Sequence, residues 1–159
     1  MKILIAGVWA HPMYEKSIAD AFVSQGHHVE KFPWARYFSS IVGRIEEKYS
    51  INGIYTRKFN RELIAVTTNI KPDLLLIWHG IKVLPSTLVE LRNLNIQHIV
   101  SYNHDDFTGP TAGAPIPWYH HWLWGNFLKC APFYDYHFVK RQSNIEHLRS
   151  LGAKRAFIM

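Results

Sequence analysis

The chain has 159 residues, 48% of them hydrophobic and 19% charged, which is enough for one well-buried core and excludes a disordered or low-complexity polypeptide. Its net charge of +6 is spread evenly, ten basic against seven acidic residues up to Gly80 and eight against five after it, so no basic tail suggests a nucleic-acid partner. The single cysteine, Cys130, excludes an intrachain disulfide, the first apolar run stops at His11-Pro12 and is too short for a secretory signal, and no segment approaches the ~20 apolar residues of a membrane span. A cytoplasmic protein is expected.

Short apolar runs alternate with amphipathic stretches, which predicts βα units and a mainly parallel sheet of five or six strands in a three-layer α/β domain spanning residues 1–159. Lys2 to Gly7 reads as the first strand, followed by a helix with Ile18, Ala19, Phe22 and Val23 on one face and Gly26 as its stop. His28 to Phe32 is a second, shorter strand. Two helical segments follow, one presenting Phe38, Ile41, Val42 and Ile45, the other Phe59, Leu63, Val66 and Ile70. Pro72-Asp73 ends the second of these and launches a third strand, Leu74 to Trp78. Pro85 to Leu94 is a helix with Leu88, Leu91 and Leu94 inward.

The fourth strand is the most informative run: Ile99-Val100-Ser101-Tyr102-Asn103 stops at His104, Asp105 and Asp106. A loop from Gly109 to Pro117 without periodicity comes next, long enough to suggest a functional role. Trp118 to Lys129 is an aromatic-rich helix and Tyr136 to Lys140 a fifth strand. Ser143 and Glu146 have capping-box spacing for a helix burying Ile145, Leu148 and Leu151, and Arg155 to Met159 is a last strand with no helix after it, as expected of a half-molecule.

Three strand ends carry polar groups: His11 shortly after the first, His79-Gly80 after the third, and His104, Asp105 and Asp106 after the fourth. Open parallel sheets gather their ligands at that carboxyl edge, so the three ends are expected to line one crevice. A carboxylate beside a histidine suits deprotonation of a hydroxyl or hydroxyl binding; the competing readings are loop capping and metal binding. Successive residues of an extended chain face opposite ways, so His104, Asp105 and Asp106 would need a turn to share an ion, and no metal site is assigned. Gly7 is followed by Val8-Trp9-Ala10, without the later glycines of a dinucleotide fingerprint, so NAD or FAD is not expected. His11 and Glu15 can still contact a phosphate or sugar hydroxyl. Trp118 and Trp122, four apart, share a helix face; they form a core stripe, a sugar-stacking platform or a peripheral membrane contact. Neighbours His120 and His121 do not share a face.

Ala10-His11-Pro12 followed by Glu15 is similar to the Ala-His-Pro-Asp-Asp-Glu zinc motif of sugar N-deacetylases, but Met13 and Tyr14 stand where that family has its two aspartates. A zinc-dependent deacetylase is therefore a minor alternative. A broader resemblance covers nearly the whole chain. Pro72 to Gly80, the Leu84 to Leu94 helix, Asn103 to Asp106, Tyr134 to Val139 and Leu148 to Lys154 together resemble the N-terminal domain of CgeB-like spore-maturation glycosyltransferases of the GT-B class.

That resemblance implies a Rossmann-like, acceptor-side domain with no cofactor of its own. A C-terminal domain would be its partner and hold the nucleotide-sugar donor, with a carbohydrate or glycoconjugate acceptor between them and no obligatory metal. His104, Asp105 and Asp106 match the family's catalytic positions, and His11, Glu15, His79, Gly80, Trp118 and Trp122 are the expected substrate contacts. The alternative is a non-catalytic α/β module that binds a carbohydrate or partner.

Overall fold

The computed structural model describes residues 1–107, 109 and 118–159, and of His121 the backbone alone. The Gly109 to Pro117 loop, apart from Gly109, lies outside the described residues.

Strands β1 (Lys2–Gly7), β2 (His28–Pro33), β3 (Leu74–Trp78), β4 (His98–Asn103), β5 (Tyr136–Val139) and β6 (Ala156–Ile158) form one six-stranded sheet in the order β2-β1-β3-β4-β5-β6. All five pairings are parallel. The runs are Val-, Ile- and Leu-rich because a parallel sheet is covered on both faces, and Leu4, Ile5, Leu75 and Ile77 are fully buried. The chain turns outward from β1 to β2, then crosses back to β3 on the other side of β1. That reversal makes the carboxyl ends of β1 and β3 the topological switch point, where such sheets hold ligands.

Helices α1 (Ser17–Ser24), α2 (Ile41–Tyr49), α3 (Ile54–Ile70), α4 (Pro85–Arg92), α5 (His120–Cys130) and α6 (Gln142–Ser150) fill the outer layers. Right-handed crossovers require the one leftward connection, α1, to lie on the opposite face from the rightward ones. The core divides accordingly. Leu4, Ala6, Leu75, Ile77 and Ile99 pack under Phe59, Leu63, Leu88 and Leu91 of α3 and α4, while Ile3, Ile5, Leu76 and Val100 pack toward Ala19 of α1. Beyond the reach of α1, the second face carries a row of stacked rings, Tyr136, Phe157 and Phe138, with Phe157 45% exposed.

Four local expectations are overturned. Val23, expected on the apolar face of α1, is 57% exposed. Helix α2 turns Ile41, Val42 and Ile45 outward and buries Gly43 and Glu46. A Cβ on Gly43 would lie 2.9 Å from the Phe38 backbone, and the Glu46 carboxylate accepts the Tyr55 and Thr56 N–H groups at 3.3 and 2.9 Å. Close approach and a capping carboxylate decide the orientation, not the apolar stripe. Helix α6 begins at Gln142 with no side-chain cap, so Ser143 sits inside it and the capping box does not form. Leu151 is 37% exposed because it follows the helix end instead of continuing its buried face.

Candidate functional site at the carboxyl edge of the sheet

Strand β3 ends at Trp78, and the next two residues are left-handed: His79 at φ 69° and Gly80 at φ 50°. Gly80 is suited to this, and a Cβ there would come within 3.0 Å of the Tyr134 hydroxyl and 3.1 Å of the Phe127 ring. His79 gains nothing from it intrinsically; such a conformation costs a bulky residue on the order of 1–2 kcal/mol. It is held by its own N–H, which donates to the Tyr102 carbonyl at 2.7 Å. The bend brings the His79 ring to the end of β4.

There the Asn103 side chain ends the strand by accepting the Asp105 N–H at 3.0 Å, an Asx turn. The turn removes the alternation of an extended chain, so His104 and Asp105 both reach His79. The Asp105 carboxylate lies 2.6 Å from His79 Nε2 through Oδ2 and 3.5 Å from His104 Nε2 through Oδ1. The two imidazoles stack with centroids 5.4 Å apart and planes 18° apart. Asp106 turns away and pairs with Arg141 at 3.2 Å, and Asn144 Nδ2 donates to the Asp105 carbonyl at 3.0 Å. Adjacent carboxylates thus have separate tasks, one in the crevice and one tying the turn to the start of α6.

The walls are aromatic. Tyr14 stacks on His104 at 4.9 Å, Trp124 meets His79 edge-on at 5.2 Å, and Trp78 and Tyr102 complete the side toward the sheet. The hydrogen bond from His79 holds the Asp105 carboxyl below its ordinary range, against the opposing effect of burial. Burial pushes the His104 imidazole down, only partly opposed by Asp105, so it is neutral at pH 7. His104 Nδ1 is buried without a partner among the described residues.

The other expected contacts are placed differently. Glu15 is 2% exposed and accepts the Val8 N–H at 2.7 Å, bracing the first loop from within and acting on His104 electrostatically. Its carbon chain closes over Gly7, where a Cβ would meet Glu15 Oε1 at 2.5 Å. His11 is exposed on that loop and touches the site through Tyr14, at 5.7 Å ring to ring. It lines a neighbouring hollow of about 250 Å³ with Trp9, Lys16 and Lys31. Trp118 and Trp122 are 65% and 59% exposed and meet edge-on at 5.3 Å, with Trp118 also stacked on Tyr49. The core reading of that stripe is therefore wrong, and the buried tryptophan of α5 is Trp124. Cys130 is buried, its thiol pushed up to about 12 by burial, which makes it a packing group.

Sequence reasoning missed Tyr14, Trp124 and Asn103. Tyr14 and Trp124 are one residue from groups that were singled out or lie in the same aromatic helix, and Asn103 directly precedes the polar run; their roles depend on turns that apolar periodicity does not register.

A larger hollow, about 390 Å³, opens at the opposite edge of the sheet beside Thr67, Lys71 and Asn95, but without a convergent set of titratable groups. Among the described residues no helix is long and apolar enough to cross a membrane. Neither a protein-family model nor a curated protein matches the chain.

Proposed function

We propose that this chain is the acceptor-side domain of a glycosyltransferase, binding a hydroxyl-bearing acceptor at the end of β3 and β4. The observation that carries the reading is the convergence of His79, His104 and Asp105 at the carboxyl edge of a parallel sheet, beside its topological switch point and inside an aromatic wall of the kind sugars stack on. Asp105 Oδ2 is taken by His79, and Oδ1 faces the acceptor hydroxyl. His104, neutral, holds the same hydroxyl oxygen with Nε2. As the oxygen attacks the anomeric carbon, its proton passes to Asp105 Oδ1, the new C–O bond forms, and the bond from that carbon to the nucleotide phosphate breaks. The nucleotide-sugar itself belongs to a second, donor-binding domain and is not bound by this one.

Histidine ring resonances test this directly. Titration with a panel of mono- and disaccharides is expected to shift His79 and His104 while His137 stays fixed, and Asp105→Asn is expected to abolish the response. A panel that leaves both rings untouched, or micromolar binding of a UDP-sugar to this chain, would overturn the reading. In the active transferase, Asp105→Asn is expected to cut turnover by roughly 10²-fold or more, as loss of a general base does.

A further inference from the structure

We propose that His79, His104 and Asp105 form a site for a divalent transition-metal ion of the zinc class, with its remaining coordination positions open to the crevice. One ligand atom from each residue lies within 4.8 Å of the other two. Tetrahedral zinc with bonds of about 2.0–2.2 Å sets its ligand atoms roughly 3.3–3.5 Å apart. The 3.5 Å separation of His104 Nε2 from Asp105 Oδ1 already has that value, and the 2.6 Å His79–Asp105 contact needs to open by less than an ångström. Asp105 can supply this by turning its side chain, which is about half exposed.

Chemistry selects the ion. Two imidazoles and one carboxylate suit zinc and its first-row neighbours, whereas magnesium and calcium take oxygen ligands. Three protein ligands with open positions are the pattern of a catalytic site and not of a closed structural one. The arrangement is also pre-organised: the left-handed backbone of His79 and the Asx turn at Asn103 bring together three groups that an extended chain would keep apart. His104 has no hydrogen bond at Nδ1 among the described residues, so no existing partner must be given up there when the ring turns to the ion. Glu15 adds negative charge nearby, and Lys140 is the opposing cation. His11 is not among the three, so this is a different donor set from the deacetylase motif. The inference does not rest on glycosyl transfer. With the ion in place, the open position and not Asp105 would hold a ligand hydroxyl.

The test is calorimetric titration of the metal-free chain with zinc, with no sugar present. One equivalent is expected to bind, at least about tenfold more weakly in each of His79→Asn, His104→Gln and Asp105→Asn, and unchanged in His11→Gln and His28→Gln. Circular dichroism identifies any variant that fails to fold. Should one do so, visible absorption of the cobalt-loaded natural sequence decides, with intense bands of a four- or five-coordinate nitrogen–oxygen site expected. No binding at submillimolar zinc, loss of binding in His11→Gln or His28→Gln, binding indifferent to all three site substitutions, or a purely octahedral cobalt spectrum would overturn the proposal.

Discussion

Two histidines, one on β5 and one just past the end of neighbouring β4, meet opposite fates. His137, on β5, is fully buried with both ring nitrogens engaged: Nδ1 lies 2.5 Å from Ser101 Oγ on β4, and Nε2 lies 2.9 Å from the Ala131 carbonyl at the end of α5. The carbonyl can only accept, so the ring carries a proton on Nε2, and burial favours the neutral ring, whose Nδ1 accepts from the hydroxyl. His104, just past β4, is half-buried, has an orphan Nδ1 and leans on rings and a carboxylate. One histidine has all its bonding spent on the fold. The other retains unspent polar capacity next to a charged group, which is what a ligand-binding group requires.

The sharpest way to break the contrast is to remove His137. His137→Ala leaves Ser101 and the Ala131 carbonyl buried without partners and opens a cavity, and is expected to lower unfolding stability by about 3–5 kcal/mol in urea titration. A result under about 1 kcal/mol would deny the ring its structural role.

Acid should act through the same residue. Burial lowers its pKa from the ordinary 6.5 to about 4. The folded state therefore binds its proton later than the unfolded chain does. The stability tied to the neutral ring is fully present above pH 6.5, declines as pH falls toward 4, and is gone below that, amounting to about 3 kcal/mol. Stability measured from pH 7.5 to 4 should show this slope, and His137→Gln should flatten it.

Gly7→Ala probes the floor of the site, because its Cβ must displace the Glu15 carboxylate that braces Val8. It is expected to cost roughly 1–3 kcal/mol. Combined with Glu15→Ala it should cost less than the two changes summed, since the clash and the brace are the same contact. Strict additivity would show that they are separate. The smallest effect is expected at His104. Phenylalanine keeps the stacking on Tyr14 and His79 and removes an unpaired buried nitrogen, so stability should change by about 0.5 kcal/mol or less. Saccharide and zinc responses should be lost together.

The same contrast explains what could be read from the sequence. Apolar runs bounded by turns gave the parallel sheet, because a strand buried on both faces has to be continuously hydrophobic. His79, His104 and Asp105 stood out because an apolar strand that stops at ionisable groups delivers them to one known edge. Their joint orientation did not stand out. It comes from a left-handed histidine and an Asx turn, and neither has a residue signature as strong as glycine. Residue type alone does not distinguish His137 from His79; one lies inside β5 and the other just past β3, and the partners of each ring complete the distinction. Helix α2 misled for a related reason: its apolar residues have helical spacing, yet a close contact at Gly43 and the Glu46 cap for α3 fix which side faces in.

The strand order also has a consequence for how the protein comes to fold. β1 and β3 pair inside the sheet, Ile3 with Leu74 and Ile5 with Leu76, so this contact joins segments separated by the whole of α1, β2, α2 and α3. Closing such a long chain segment must precede the contacts that reward it, which places the domain among slow folders with rates on the scale of milliseconds to seconds. The crevice draws one wall from beyond β1, another from beyond β3 and a third from beyond β4. It cannot exist in any early intermediate built from local helices, and the ability to bind a ligand should return only in the last kinetic phase of refolding.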